Sequence, residues 1–203
     1  MESILGSRSR VRVLGVLNGV EVPLNVSQIA ARAGLSKPAA STALAELAAM
    51  GLVDGSPAGR SVVHWIVREN VFVERIVAPA FRQEQEIPDL LVKEIGREFA
   101  HVAVSVVLFG SYARGEQSDS SDVDVVLVGR DAAGKRELEE AADAYARAFR
   151  HRFGATLSPL VYDLDEASSL RQRAPQLFET IERDAVVVFG LTPVEWRGAD
   201  EEQ

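Results

Sequence analysis

The sequence predicts an α/β (α+β) protein built as two domains, and three features carry that reading. Helical periods give way to short extended runs after Gly51, strands and helices alternate from Val102 onward, and the charge changes sign near residue 69. Residues 1–69 hold seven basic and five acidic groups, a charge of +2, while the rest holds 15 basic and 25 acidic groups, a charge of −10. The overall −8 of this 203-residue chain therefore hides an asymmetry that fits two domains with different partners.

The first helix is expected over Ser9–Leu17, where Val13, Leu14 and Leu17 share a face and Asn18-Gly19 closes the segment. Ser27 is read as the cap of a second helix, Gln28–Ala33, ended by Gly34. Ser36 caps a third, with Lys37 and Pro38 in its first turn, where backbone N–H groups need no intrahelical partner. Ala40, Leu44, Leu47, Ala48 and Gly51 form its expected inner face, leaving Lys37, Ser41, Thr42 and Ala45 largely turned away. Leu52-Val53 and Val62–Val67 read as strands around a turn-rich loop, residues 54–60.

Asn70–Glu86 is expected to be helical and to link the domains or mediate self-association, with a break at Pro88 and a further helix over Asp89–His101. Then follow a strand Val102–Phe109, a helical turn Ser111–Gly115, and a strand Asp122–Val128. A helix Lys135–Phe153, a strand Ala155–Tyr162, a helix Glu166–Arg183 and a strand Ala185–Phe189 complete the alternation. The domain boundaries are therefore placed at 1–69, a linker 70–88, 89–190 and a tail 191–203, whose polar end Gly198–Gln203 is expected to fray.

Composition removes several classes of function. The chain has no cysteine, which excludes disulfides, thiolate zinc sites and cysteine nucleophiles. Its three histidines, 64, 101 and 151, are too widely spaced to point to a zinc hydrolase. Apolar runs such as Val102–Phe109, interrupted by Ser105, are too short to span a bilayer, and the N-terminus lacks a secretory pattern. The expectation is a soluble cytoplasmic protein with no membrane partner.

Two helices joined by a tight turn and followed by a hairpin with Gly59-Arg60 in its loop make a helix-turn-helix with a wing. Val26–Met50, Gly51-Leu52-Val53 and Gly59-Arg60 resemble the winged helix-turn-helix DNA-binding domains of bacterial transcription regulators. The resemblance implies double-stranded DNA as partner and a homodimer reading two half-sites. Lys37, Ser41, Thr42 and Arg60 are the candidate DNA-binding residues. Neither Arg nor Asn stands among the base-facing positions, so strong bidentate base contacts are not evident. Arg60 suits a phosphate or the minor groove. The Arg8, Arg10 and Arg12 cluster is either a solvated helix start or a contact to DNA backbone.

The chemistry concentrates in Phe109-Gly110-Ser111-Tyr112-Ala113-Arg114-Gly115 and Ser121-Asp122-Val123-Asp124. Glycine at a strand end lets a phosphate approach the backbone, and Ser111 adds a hydroxyl and an N–H. Arg114 is a fixed cation one turn on, read either as a phosphate ligand or as an ion-pair partner of Glu116 or Asp119. Ser121 is read as a turn residue. Asp122 and Asp124, two apart on a strand, present both carboxylates on one face. Their repulsion is relieved by a divalent cation, and hard Mg²⁺ prefers such oxygens together with substrate phosphates.

Gly110-Ser111 followed by Asp122-x-Asp124 resembles the signature of the DNA polymerase β-like nucleotidyltransferase superfamily, and above all its minimal bacterial and archaeal members. The resemblance covers about Asp89–Gly190 and implies a mixed sheet flanked by helices. It implies that Gly110 and Ser111 bind the triphosphate and that Asp122 and Asp124 are the catalytic and metal-holding pair; Arg114, from the reading of the residues above, is the further candidate for the nucleotide. NTP, with ATP foremost, is the implied substrate or ligand, and Mg²⁺ the implied cofactor. Active members add a third carboxylate from a later strand. The equivalent strand here, Thr156–Asp163, has no acid in its middle, and Ser158 or Leu160 takes that place. Asp163 and Asp165 fall at or beyond the strand end.

Two functions follow as expectations. One is a DNA-binding transcriptional regulator that binds or uses NTP–Mg²⁺. The other is an active nucleotidyltransferase of antitoxin type, moving NMP to a hydroxyl of a protein or nucleic-acid acceptor, with the winged helix recognising the substrate.

Overall fold

A computed structural model describes residues 6–116 and 122–196. The expected turn at Ser121, the Asp119 partner considered for Arg114, and the polar end Gly198–Gln203 lie outside the described residues. The chain divides into two compact units, Met1–Glu86 and Ile87–Gln203.

In the first unit, α1 spans Arg8–Asn18, with the Ser7 side chain accepting from the Arg10 N–H. After the short strand β1, Leu24–Asn25, helix α2 covers Val26–Ala33. Its cap is Asn25 rather than the expected Ser27. The Asn25 side chain accepts from Gln28 N at 3.0 Å and Gln28 Oε1 accepts from Asn25 N at 2.9 Å. This reciprocal pair satisfies two otherwise orphaned donors and starts the helix earlier.

Helix α3 covers Lys37–Ala49, capped by Ser36 with proline in the first turn, as its sequence predicts. Ala40, Ala43, Leu44 and Leu47 are buried. Ala48 and Gly51, expected on that face, are exposed, and Ala43 takes the inward place instead. Strands β2, Val53–Ala58, and β3, Ser61–Ile66, pair from Val53↔Ile66 to Ala58↔Ser61. Only Gly59-Arg60 is left as turn, so most of the segment read as loop is strand. Pro57 disguised it, yet β2 is an edge strand in the order β1-β3-β2, where a missing N–H is tolerated.

The first unit closes on one core. Val13, Leu14 and Leu17 of α1 meet Ile29, Leu44, Leu47, Val53 and Ile66, with Phe72 and Phe81 packed on the edge. Phe81 belongs to α4, Ala78–Phe99, which follows a π-helical turn over Val73–Val77. Pro88 does not break this helix as expected, because α4 continues through it. The carbonyl that loses its helical donor belongs to Glu84, an exposed residue that water can serve.

The second unit is built on a four-stranded mixed sheet whose strands lie in the order 157–163, 123–129, 103–109 and 186–190. Strand β4 spans Ala103–Phe109 and runs into a single helical turn, α5, Gly110–Ala113. Strand β5 covers Val123–Gly129, α6 Ala132–Phe153, and β6 Leu157–Asp163. The expected helix over Glu166–Arg183 is two helices, α7 at Leu164–Arg173 and α8 at Pro175–Asp184. Pro175 separates them, since the residue before a proline is disfavoured in the helical region. Strand β7, Val186–Gly190, forms the last edge.

Both faces of this sheet are covered, which explains the nearly unbroken apolar runs of β4 and β5. Val106, Leu108, Val123, Val125 and Leu127 point to one side, against Leu91, Ile95 and Phe99 of α4 and Leu138 and Phe149 of α6. Val107, Phe109, Val126 and Val128 point to the other, against α7, α8 and Trp196. Trp196 is fully buried, and its Nε1–H donates to Ser105 Oγ at 2.9 Å. Ser105 in turn donates to the Leu191 carbonyl at 2.6 Å. Leu191 and Trp196, assigned by sequence to a tail, therefore belong to the domain. Among the described residues no helix is long and apolar enough to cross a membrane.

Candidate functional site

The carboxyl end of β4 and the start of β5 lie side by side, with Phe109 opposite Asp124 in the antiparallel register. This pairing brings the Gly-Ser turn and the acidic pair into one place, although some ten residues separate them in sequence. Gly110 is buried and has φ +74°, and a Cβ there would lie 2.5 Å from Asp124 Oδ2. Glycine is thus required twice, by the backbone conformation and by the carboxylate pressed against it. Ser111 follows at the first exposed edge of the turn and is half-buried.

Asp124 is half-buried and Asp122 exposed. Burial pushes the Asp124 carboxyl above its usual range, the neighbouring charge of Asp122 pushes the same way, and a hydrogen bond from Ser158 opposes them. Across the parallel β5–β6 pair, Asp124 stands opposite Ser158, and Leu160 stands opposite Val126. Of the two candidates for the missing third carboxylate, Ser158 is the one beside the acidic pair. Among the described residues no group of three or more His, Cys, Asp or Glu could hold a metal. The oxygen pair Asp122 and Asp124 is a hard donor set in which a divalent cation would relieve both burial and repulsion.

Asp163 is not near that pair. It stands opposite Gly129, five residues along the parallel register from Asp124↔Ser158. Its carboxylate accepts from Glu166 N at 2.8 Å, and the Glu166 side chain accepts from Asp163 N, a capping box at the start of α7. Lys135 holds Glu166 from α6 at 2.6 Å.

Arg114, at the C-cap of α5, donates from Nε to Glu116 at 2.8 Å and from an Nη to Asp184 at the end of α8. The Glu116 pairing is the ion pair anticipated in sequence. Asp184 was not anticipated. A carboxylate at a helix C-terminus opposes the helix dipole, and this local anomaly is the signal sequence reading could have used.

In the first unit, Lys37, Ser41, Thr42 and Ala45 are all exposed on α3, and Arg60 is exposed at the β2–β3 turn. Two arginines of the N-terminal cluster have internal partners. Arg10 pairs with Glu46 of α3, and Arg12 donates to the carbonyls of Ala33 and Gly34 at the end of α2, both at 3.3 Å.

Residues 89–156 match the family described as nucleotidyltransferase domain, and residues 7–60 match the MarR family. Two proteins of Methanocaldococcus jannaschii are similar to part of the chain. One, named "Putative protein adenylyltransferase MJ1305", is 28% identical over 38% of this chain and 53% of its own length. The other, "Putative protein adenylyltransferase MJ0141", is 28% identical over 36% of this chain and 76% of its own length. The chain thus spans about half the length of the first of these relatives. A solved structure described as a toxin-antitoxin with AMP-PNP overlaps 54% of this chain and 80% of its own at 18% identity, with a TM-score of only 0.35. The chain joins a MarR-family winged helix, residues 7–60, to a nucleotidyltransferase domain, residues 89–156.

Proposed function

We propose that this protein is a DNA-binding transcriptional regulator whose second domain binds a Mg²⁺–nucleoside triphosphate, ATP foremost, and that it acts in the cytoplasm as a homodimer on paired half-sites. The observation that carries the nucleotide part is the Asp124 carboxylate seated against Gly110 with the charge of Asp122 beside it. Asp122 and Asp124 would hold Mg²⁺, which neutralises the triphosphate when bound. Gly110 gives the phosphates close access to backbone, Ser111 offers its hydroxyl and N–H, and Arg114 adds a cation. On the winged helix, Lys37 and Arg60 would meet phosphates, while Ser41 and Thr42 face the bases.

A second reading is transfer of NMP to a protein or nucleic-acid hydroxyl, and the names of the two archaeal relatives favour it. The acceptor oxygen would attack the α-phosphorus, the bond to the bridging oxygen would break, pyrophosphate would leave, and the acceptor proton would pass to solvent. Ser158 beside Asp124, where an acid would be needed to assist the acceptor, favours binding over transfer.

The test combines two measurements on the full chain. Labelled duplex DNA is titrated at about 50 and 200 mM salt, with and without Mg–ATP. Binding that weakens with salt and shifts with Mg–ATP is expected; no binding at low salt, or no response to Mg–ATP, refutes the regulator. Incubation with α-labelled ATP and Mg²⁺ is expected to leave candidate acceptors unlabelled. Label transfer abolished by Asp122→Ala/Asp124→Ala would install the second reading in its place.

A further inference from the structure

Asp184 is the one charged residue buried among the described residues, with a side chain only 2% exposed. It ends α8, where the helix dipole disfavours an acid, so helix stability does not account for it. Both of its oxygens are engaged. Arg183 Nε donates to Oδ1 at 2.8 Å, and Nη groups of Arg183 and Arg114 donate to Oδ2. These arginines hold its carboxyl below the usual range, Arg183 foremost.

The two arginines are not equivalent. Arg183 is the adjacent residue and largely exposed, at 63%. Arg114 comes from 70 residues away, at the end of the turn that Gly110 and Ser111 begin. Helix α8 packs against that turn. The other carboxylate on Arg114, Glu116, is 66% exposed, and solvated ion pairs orient weakly. The direction of the Arg114 fork is therefore set from the buried side. Two hydrogen bonds use only part of a guanidinium's five donors, so the fork has donors to offer beyond Asp184 and Glu116.

We propose that Asp184 is a positioning residue of the nucleotide site, holding the Arg114 guanidinium so that its remaining N–H groups meet the phosphates of a triphosphate bound at Gly110 and Ser111. The inference rests on the triphosphate-binding reading of that site. A carboxylate that only fastened α8 to the turn would affect stability, and any effect on ligand affinity would not depend on Arg114.

The test is calorimetric titration of the full-length protein with Mg–ATP, using Asp184→Asn, Arg114→Ala and the double variant, each with a thermal melt. Asp184→Asn is expected to weaken binding about tenfold, the scale of one charge-assisted hydrogen bond. In the Arg114→Ala background the same change is expected to add no further loss, while still lowering the melting temperature. Unchanged affinity in Asp184→Asn, or losses that add in the double variant, overturns the proposal. Arg114→Lys covers the case in which Asp184→Asn does not fold. It keeps the charge but not the fork, so affinity as weak as Arg114→Ala supports positioning and wild-type affinity refutes it. Asp124→Asn separates the two levels of inference. Wild-type binding that this variant does not weaken, or no binding of Mg–ATP at all, defeats the reading of the site and the proposal with it. Binding sensitive to Asp124 but not to Asp184 defeats the proposal alone.

Discussion

Ser158 of β6 stands directly across from Asp124 of β5 in the parallel register, and its hydroxyl works to lower the pKa of the Asp124 carboxyl against burial and the charge of Asp122. The hydroxyl stands where a third acid would add a charge, so among the described residues Asp124 has Asp122 as its acidic neighbour and no group of three acids forms. Ser158→Asp is expected to bring three carboxylates together and, without a cation, to destabilise the domain by about 1–3 kcal/mol. Mg²⁺ should restore the loss, giving a larger metal-induced rise in melting temperature than in wild type. Thermal melts with and without Mg²⁺ check this, and equal metal responses in the two proteins would contradict it.

Gly110 and Gly115 offer a matched comparison. Both have positive φ, +74° and +68°, but a Cβ at Gly110 meets Asp124 Oδ2 at 2.5 Å while a Cβ at Gly115 meets nothing within 4 Å. Alanine at either is expected to cost about 1–2 kcal/mol for the left-handed conformation. Gly110→Ala must also displace the Asp124 carboxylate, so it alone should abolish Mg–ATP binding. Melts and titrations of the two variants check this; similar binding in both would be the contrary result.

The Glu166 carboxyl is held below its usual range, first by the hydrogen bond from Lys135 and then by the backbone N–H of Asp163. A carboxylate whose folded pKa is depressed stabilises the fold above its unfolded pKa, and the contribution fades as pH falls through the lowered folded value. Glu166→Gln is therefore expected to lower stability at neutral pH and to flatten the loss on acidification below the ordinary carboxylate range. Denaturation across about pH 3–7 checks this, and parallel curves for variant and wild type would refute it.

How much of this was legible in the sequence depends on the range of the interaction. Helices α1 and α3, the Ser36 cap and the strands β4 and β5 follow from local period and capping, and they appear where the sequence predicts them. The length of the β2–β3 hairpin is hidden in the sequence because Pro57 is a breaker except on an edge strand, and local sequence does not reveal that β2 is one. Pro88 reads as a helix break for the same reason, since its tolerance inside α4 depends on the exposure of Glu84. Trp196 and Ser105 are 91 residues apart, and Arg114 and Asp184 are 70 apart; no periodicity links such pairs. The motif leaves Ser158 and Leu160 as candidates for the place beside Asp124, and only the β5–β6 register chooses Ser158.

Lys37 at the start of α3 and Arg60 at the β2–β3 turn are exposed, and α3 presents Ser41, Thr42 and Ala45 to solvent rather than long base-reading side chains. Affinity for duplex DNA should then come mainly from phosphates, with modest discrimination between sequences. Lys37→Ala and Arg60→Ala are each expected to weaken binding to all duplexes alike and to reduce the slope of log affinity against log salt by about 1. Ser41→Ala and Thr42→Ala should leave that slope unchanged and alter only the ranking of sequences. Anisotropy titrations of several duplexes over a salt series distinguish the two sets. A change in sequence ranking from Arg60→Ala, with the salt slope intact, would assign Arg60 to base reading in the minor groove instead of to the phosphate backbone.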